Sequence, residues 1–284
     1  MATEAVPLRP ITRSGPWRGL NGLTAAEARR WLPWRSVVLI GVGLGVLVLI
    51  FAIWRIAGAE AEANLRLGGL MYPFFSLWAI ALTLATATAA QGAVAGELDE
   101  GTAAWLMGMP IGRPAFVVSK ILGAIPGVIA AVFGAGLVAY PVFAYASSIK
   151  IENFTTQNIV DVASRPIGAE GFVDLPGIAE YLGVLVRMSL FLLVLVTLMV
   201  LLGTIFRSTG IVLGLGVVLA VGLFMVGLMG VAGVVDATPA GLISGLLDSV
   251  QAEPAPLAGP VLVSLLWILG LTGLAVARFQ RRDL

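Results

Sequence analysis

The chain contains no cysteine and no histidine, and only 12 % of its 284 residues are charged. Without cysteine there are no disulfides and no thiolate chemistry. Without histidine the commonest metal ligand, the usual axial haem ligand and the usual imidazole base are all missing, so neither a catalytic set nor a metal site is expected. A Gly-x-x-x-x-Gly-Lys-Ser/Thr phosphate loop is also lacking, which leaves the chain without the common means of holding ATP. What it has instead is apolar bulk: 59 % of residues are hydrophobic and the mean hydropathy is +1.00. Soluble domains carry about 25 % charged residues, so this composition marks an integral membrane protein. A net charge of +1 gives no reason to expect a nucleic-acid partner; the side of the bilayer that each charge occupies matters more.

Six segments are apolar over the ~20 residues needed to cross a hydrocarbon core of about 30 Å. They run from Ser36 to Ala57, Leu67 to Ala90, Phe116 to Ala146, Ile178 to Phe206, Gly210 to Val235 and Leu257 to Ala277. The expected fold is therefore an all-α membrane protein of six transmembrane helices. Pro126 and Pro141 offer kinks in the third span, since each removes a backbone donor. With the N-terminus in the cytoplasm, Arg9, Arg13, Arg18, Arg29, Arg30, Arg35, Arg113, Lys120, Arg207, Arg278, Arg281 and Arg282 all lie inside, 12 of the 17 basic residues. The excess of positive charge inside places both termini in the cytoplasm and the protein in the cytoplasmic membrane as a multi-pass chain.

Residues 1–22 are rich in Pro, Gly and Arg without periodicity and read as a disordered cytoplasmic arm, leaving 23–284 as the six-helix domain. Thr24 and Glu27 have the spacing of a capping box, in which hydroxyl and carboxylate satisfy free donors at a helix start. Trp31, Trp34, Arg29, Arg30 and Arg35 follow, a mixture suited to the headgroup layer, so a short interfacial helix against membrane lipid is expected before the first span. On the outer side, residues 147–177 form the longest polar excursion and show no catalytic spacing. In the last outer loop Thr238 and Pro239 form an N-cap and first-turn pair. Leu242, Ile243, Leu246, Leu247 and Val250 then share one face of a short amphipathic helix. Glycine pairs four residues apart, Gly41 with Gly45, Gly123 with Gly127 and Gly210 with Gly214, mark faces where backbones approach.

Between the second and third spans lies a polar island, Gly96-Glu97-Leu98-Asp99-Glu100-Gly101-Thr102, continuing through Trp105, Leu106, Pro110, Arg113 and Lys120. Its carboxylates are not a credible hydrolytic pair, since such pairs need a shaped, partly dry pocket. They would instead favour the start of a short helix and offer a negative knob to a cationic partner, with Trp105, Leu106 and Met109 as apolar anchors behind it. The bland alternative is a solvated loop whose acids only keep it out of the membrane.

The string Glu97, Glu100-Gly101-Thr102, Trp105-Leu106, Pro110-Ile111, Arg113 and Lys120 resembles the segment after the second span in permeases of ATP-binding cassette exporters of the type-2 (ABC-2) class. Leu202 to Ser208 is similar to that family's link between spans four and five, and Arg278 to Leu284 to its basic tail. Two positions depart from the pattern: Ser119 stands where Gly often precedes the Lys, and Gly203 where Ser is common. The resemblance implies a cytoplasmic coupling helix in the island, docked on a separate ATPase that binds ATP and Mg, with a second permease chain completing the assembly. Carried over by position, Glu97, Asp99, Glu100, Gly101, Thr102, Trp105 and Leu106 would belong to the coupling element and Arg113 to the turn back into the membrane.

The resemblance also implies a path between subunits lined by the second and fifth spans, to which Thr83, Thr86 and Gln91 would contribute. Hydroxyls bonding to their own helix explain the threonines equally well. Arg187 lies several residues into the fourth span, where an ionisable group is costly. It is expected either to line the path, or to snorkel to the headgroups or pair with an acid such as Glu180. The function read from the sequence is thus the permease subunit of an ATP-driven exporter with a hydrophobic or amphipathic substrate, not an enzyme on its own. The alternative is a non-transporting scaffold of the same topology.

Overall fold

The computed structural model describes residues 15–60, 71–103, 111–148, 178–230, 233–250 and 256–281; of these, 33–34, 51–60, 71–72, 144–148 and 247–250 are described by backbone alone. Among the described residues every regular element is helical. The helices are α1 (Leu20–Arg30), α2 (Ser36–Glu60), α3 (Met71–Ala90), α4 (Ala95–Asp99), α5 (Arg113–Ser148), α6 (Ile178–Ile205), α7 (Thr209–Met229), α8 (Val234–Ala237), α9 (Ala240–Val250) and α10 (Ala258–Gln280), with a π turn, Trp31–Arg35, joining α1 to α2. Five of them are long and apolar enough to cross a membrane, those built on α3, α5, α6, α7 and α10, and in α2 the stretch Ser36–Ile50 is also apolar. The protein is a multi-pass, all-α membrane protein.

Helix α6 is the axis of the bundle, packed by α2's neighbours α3 and α5 and by α7, α9 and α10. Its most apolar window is 72 % buried, against 28 % for α7 and 17 % for α10. Leu185, Met188, Leu192 and Val200 are wholly enclosed. Aromatic rings close one end of the core. Phe74 stacks on Trp78 at 5.3 Å, Phe75 meets Tyr181 edge-on at 5.7 Å, and the Tyr181 hydroxyl donates to the Gly136 carbonyl at 2.6 Å.

Helices lie over all six apolar segments, although the expected start of the second, Leu67 to Leu70, lies outside the described residues, and one end needs correction. The fifth span was expected to reach Val235, but α7 stops at Met229 because Gly230 adopts φ +60°, the left-handed conformation that caps a helix. α5 runs through Pro126 and Pro141 without ending. Of the glycine pairs, Gly123 and Gly127 do bring backbones together: a Cβ on Gly123 would strike Glu27 of α1, and one on Gly127 would strike Trp31 of the π turn. Gly41, Gly45 and Gly214 have open space in front of them.

Residues 15–22, expected to be part of a mobile arm, form turns and the first turn of α1. The Gly112 amide donates to the Arg18 carbonyl at 3.1 Å, fastening this stretch to the start of α5. Residues 1–14 lie outside the described residues, as does nearly all of the 147–177 loop. At the same end, Arg113 Nη1 donates to the Gln280 carbonyl at 2.8 Å and Phe116 stacks on Phe279 at 5.2 Å. The first and last described helices therefore meet at one end of the bundle.

Candidate functional site: a charged ring at the foot of the bundle

α1 begins four residues before the capping box suggests. Gly19, at φ +83°, turns the chain into the helix, a conformation natural to glycine. The Thr24 hydroxyl is buried, and among the described residues it finds no partner. Glu27 makes no cap; it is 5 % exposed and faces α5. The capping box fails because the helix has already begun at Leu20, so the amides near Thr24 are bonded within it and the Glu27 carboxylate is left for a buried ammonium.

That ammonium is Lys120, 3 % exposed, one turn before Gly123 on α5. Its Nζ lies 2.5 Å from Glu27 Oε1 and 2.5 Å from Glu97 Oε1. Arg30 Nη1 completes the figure, donating to Glu27 Oε1 at 3.1 Å and to Glu97 Oε1 at 2.9 Å. Two cations and two carboxylates thus alternate in a closed ring that joins α1, α4 and α5. Its charges cancel, and opposite charges at contact offset the several kcal/mol that each buried ion loses in hydration. The hydrogen bond to Glu97, followed by the charge of Glu27, raises the Arg30 pKa above its ordinary value. Small residues let the ring close. Gly123 admits Glu27, and Gly203 admits α4: a Cβ at 203 would come within 3.0 Å of the Ala95 nitrogen. The serine common at this position in the resembled family would crowd that contact.

The polar island is therefore divided. Glu97 turns inward, 8 % exposed, and is not part of any outward knob; Asp99 and Glu100, two and three residues on, are exposed. Gly101 takes φ +71° and Thr102 is half-buried. Trp105 and Leu106 lie outside the described residues. Arg113 is occupied with the end of α10 as described above. Beside the ring opens a cleft of about 430 Å³ lined by Arg30, Arg35, Gly92, Glu97, Glu100 and others.

No family model matches this chain, and no curated protein matches it.

The intramembrane candidates separate as well. Arg187 does not snorkel: it is 2 % exposed, donates from Nη2 to the Pro256 carbonyl at 3.1 Å, and lies under α9 in the space left by Gly245. Thr83 and Thr86 are buried. Thr83 donates to the Ala79 carbonyl of its own helix at 2.6 Å, whereas the Thr86 hydroxyl has no partner among the described residues. Gln91 is half-buried in the turn after α3. α9 forms as expected, with Leu242, Ile243 and Leu246 fully covered, but the Thr238 side chain donates back to the Val234 carbonyl at 2.7 Å and does not cap it. Nor does Trp31 sit among headgroups; it is 1 % exposed, packed on Gly127. Sequence reasoning named Glu27 as a capping residue, Arg30 as a headgroup residue, and Glu97 and Lys120 as parts of the polar island, and missed that they meet. The available signal was Gly123, one turn beyond Lys120, marking a close helix approach.

Proposed function

We propose that this chain is the permease subunit of an ATP-driven exporter of the ABC-2 type, acting in the cytoplasmic membrane with separate ATPase chains and a second permease. The observation that supports this most is the buried ring of Glu27, Lys120, Glu97 and Arg30 beside the exposed Asp99 and Glu100. A partner that grips the exposed acids pulls on a segment whose neighbouring residue, Glu97, is tied to two other helices. Force applied there moves α1 and the start of α5 together, because stretching the ring would strand buried charge. ATP and Mg belong to the partner, in keeping with the missing phosphate loop.

Topology supports the same reading. Ends that meet at one end of the bundle require an even number of crossings. The five long helices satisfy this when α2 is counted as the sixth, with both termini cytoplasmic by the distribution of basic residues. The substrate is hydrophobic or amphipathic, since the spans offer few charges with which to recognise a hydrophilic ion.

Co-expression with candidate ATPases tests the proposal. The chain should bring down an ATPase and show vanadate-sensitive turnover in lipid. The double variant Asp99→Lys/Glu100→Lys should lose the ATPase while keeping its thermal midpoint. Unchanged ATPase recovery and turnover in that variant would sink the coupling role. A stable chain that captures no ATPase and turns over nothing would favour a scaffold.

A further inference from the structure

The cleft beside the charged ring holds polar groups that the ring does not use. Glu97 gives Oε1 to both cations, yet its Oε2 is buried, and among the described residues no donor reaches it. Across the cleft, Arg35 Nη1 is likewise buried without a partner among the described residues. Its guanidinium is held in place over the Trp31 ring, 5.0 Å from the centroid. Burial is the largest influence on Arg35 and lowers its pKa, with Glu27 opposing and Arg30 adding to the effect. An anion beside it would relieve that loss of hydration. Arg30 and Glu100 complete the lining charges, two positive and two negative, and Gly92 leaves the space between them open, since a Cβ there would meet nothing within 4 Å.

A lining with one unused donor and one unused acceptor, and no net charge, suits a zwitterion. The cleft's depth says where that zwitterion comes from. Arg35 immediately precedes Ser36, where the apolar helix α2 begins, and Gly92 follows Ala90, where α3 ends. Two apolar helices ending at the same level place the cleft among lipid headgroups.

We propose that this cleft binds a phosphoethanolamine headgroup of a membrane lipid, the phosphodiester on Arg35 and Arg30 and the ammonium on Glu97 Oε2 and Glu100. The phosphate supplies acceptors to the unused guanidinium nitrogen, and the primary ammonium supplies N–H donors to the unused carboxylate oxygen. Choline cannot take this place, because its quaternary nitrogen carries no N–H. Glycerol headgroups lack the positive charge. The proposal does not depend on the transporter reading, since it concerns the isolated chain.

Native mass spectrometry of the detergent-purified full chain tests this. The protein is mixed with equal amounts of phosphatidylethanolamine, phosphatidylcholine and phosphatidylglycerol of identical acyl chains. The expected result is retention of phosphatidylethanolamine over phosphatidylcholine by about tenfold, the size of one charge-assisted hydrogen bond. Arg35→Gln, which removes a partner of the phosphodiester, should lower retention of phosphatidylethanolamine. Gly92→Leu, whose Cβ meets nothing within 4 Å and whose side chain would occupy the cleft, should do the same if Arg35→Gln proves poorly folded. Equal retention of the ethanolamine and choline lipids by the native chain would overturn the proposal, as would phosphatidylethanolamine retention left unchanged by both variants. Soluble phosphoethanolamine distinguishes the source: failure to displace the bound lipid supports a membrane headgroup, whereas binding of the soluble compound in place of the lipid would overturn that assignment.

Discussion

Among the described residues Lys120 and Arg187 are buried cations, at opposite ends of the bundle, and their surroundings differ. Lys120 is held by two carboxylates brought from α1 and α4, and an arginine closes the ring around it. Arg187 lies in the space that Gly245 leaves under α9, with the Pro256 carbonyl accepting one of its hydrogens. At the first end, charge holds together segments far apart in sequence. At the second, a missing side chain lets a short amphipathic helix lie down over a long polar one. One end depends on a closed ring of charges and the other on the room that a glycine leaves for a guanidinium, and the two ends should fail in different ways.

The largest effect is expected at the charged end. Lys120→Met leaves Glu27 and Glu97 buried with only the more exposed Arg30 between them. It should cost about 3–5 kcal/mol, read as a lowered unfolding midpoint in detergent. Adding Glu97→Gln to that variant should recover part of the loss, because the two substitutions act on one network. A cost for Lys120→Met no greater than that of an ordinary surface change would mean that charge does not hold this end closed.

A smaller effect is expected at the other end. Gly245→Leu drives a side chain into the Arg187 guanidinium and should cost about 1–3 kcal/mol through overpacking. Arg187→Met, which keeps the apolar stem and removes the polar head, should lose less than Gly245→Leu. The reverse order would show that the polar head of Arg187 matters more to this end than the space Gly245 leaves for it, and the contrast between the ends would disappear. The smallest effect belongs to Arg30→Ala. That side chain is 58 % exposed, so water screens both of its ion pairs and the loss should stay below about 1 kcal/mol in the same unfolding measurement.

Much of the fold could be read from the chain, for a plain reason. An apolar run of 20 residues has few alternatives in lipid, so Thr209 and Ala258 are found as helix starts within a residue of expectation. Boundaries set by backbone conformation were less legible. Gly230 interrupts no hydrophobic pattern, yet its left-handed φ ends α7. Local motifs misled where a remote partner competed. Glu27 has the spacing of a capping residue, but Lys120, 93 residues away, takes it. Trp31 belongs to a residue type that favours interfaces, but Gly127 provides a seat for it in the interior. The candidate site was legible in composition and illegible in geometry: nothing in linear spacing says that Glu97 points inward while Glu100 points out.

The ring also has consequences for how the molecule is made. In chain order Glu27, Arg30 and Glu97 all precede Lys120. While the ribosome is delivering the first two apolar helices, two carboxylates and a single arginine already sit at the foot of the bundle, short of one positive charge. They must stay hydrated, and the foot must stay open, until the third long helix arrives carrying the missing lysine. Closure of this end is thereby tied to the order of synthesis, and the lysine acts as the last piece in a lock that earlier segments can hold ready but cannot shut.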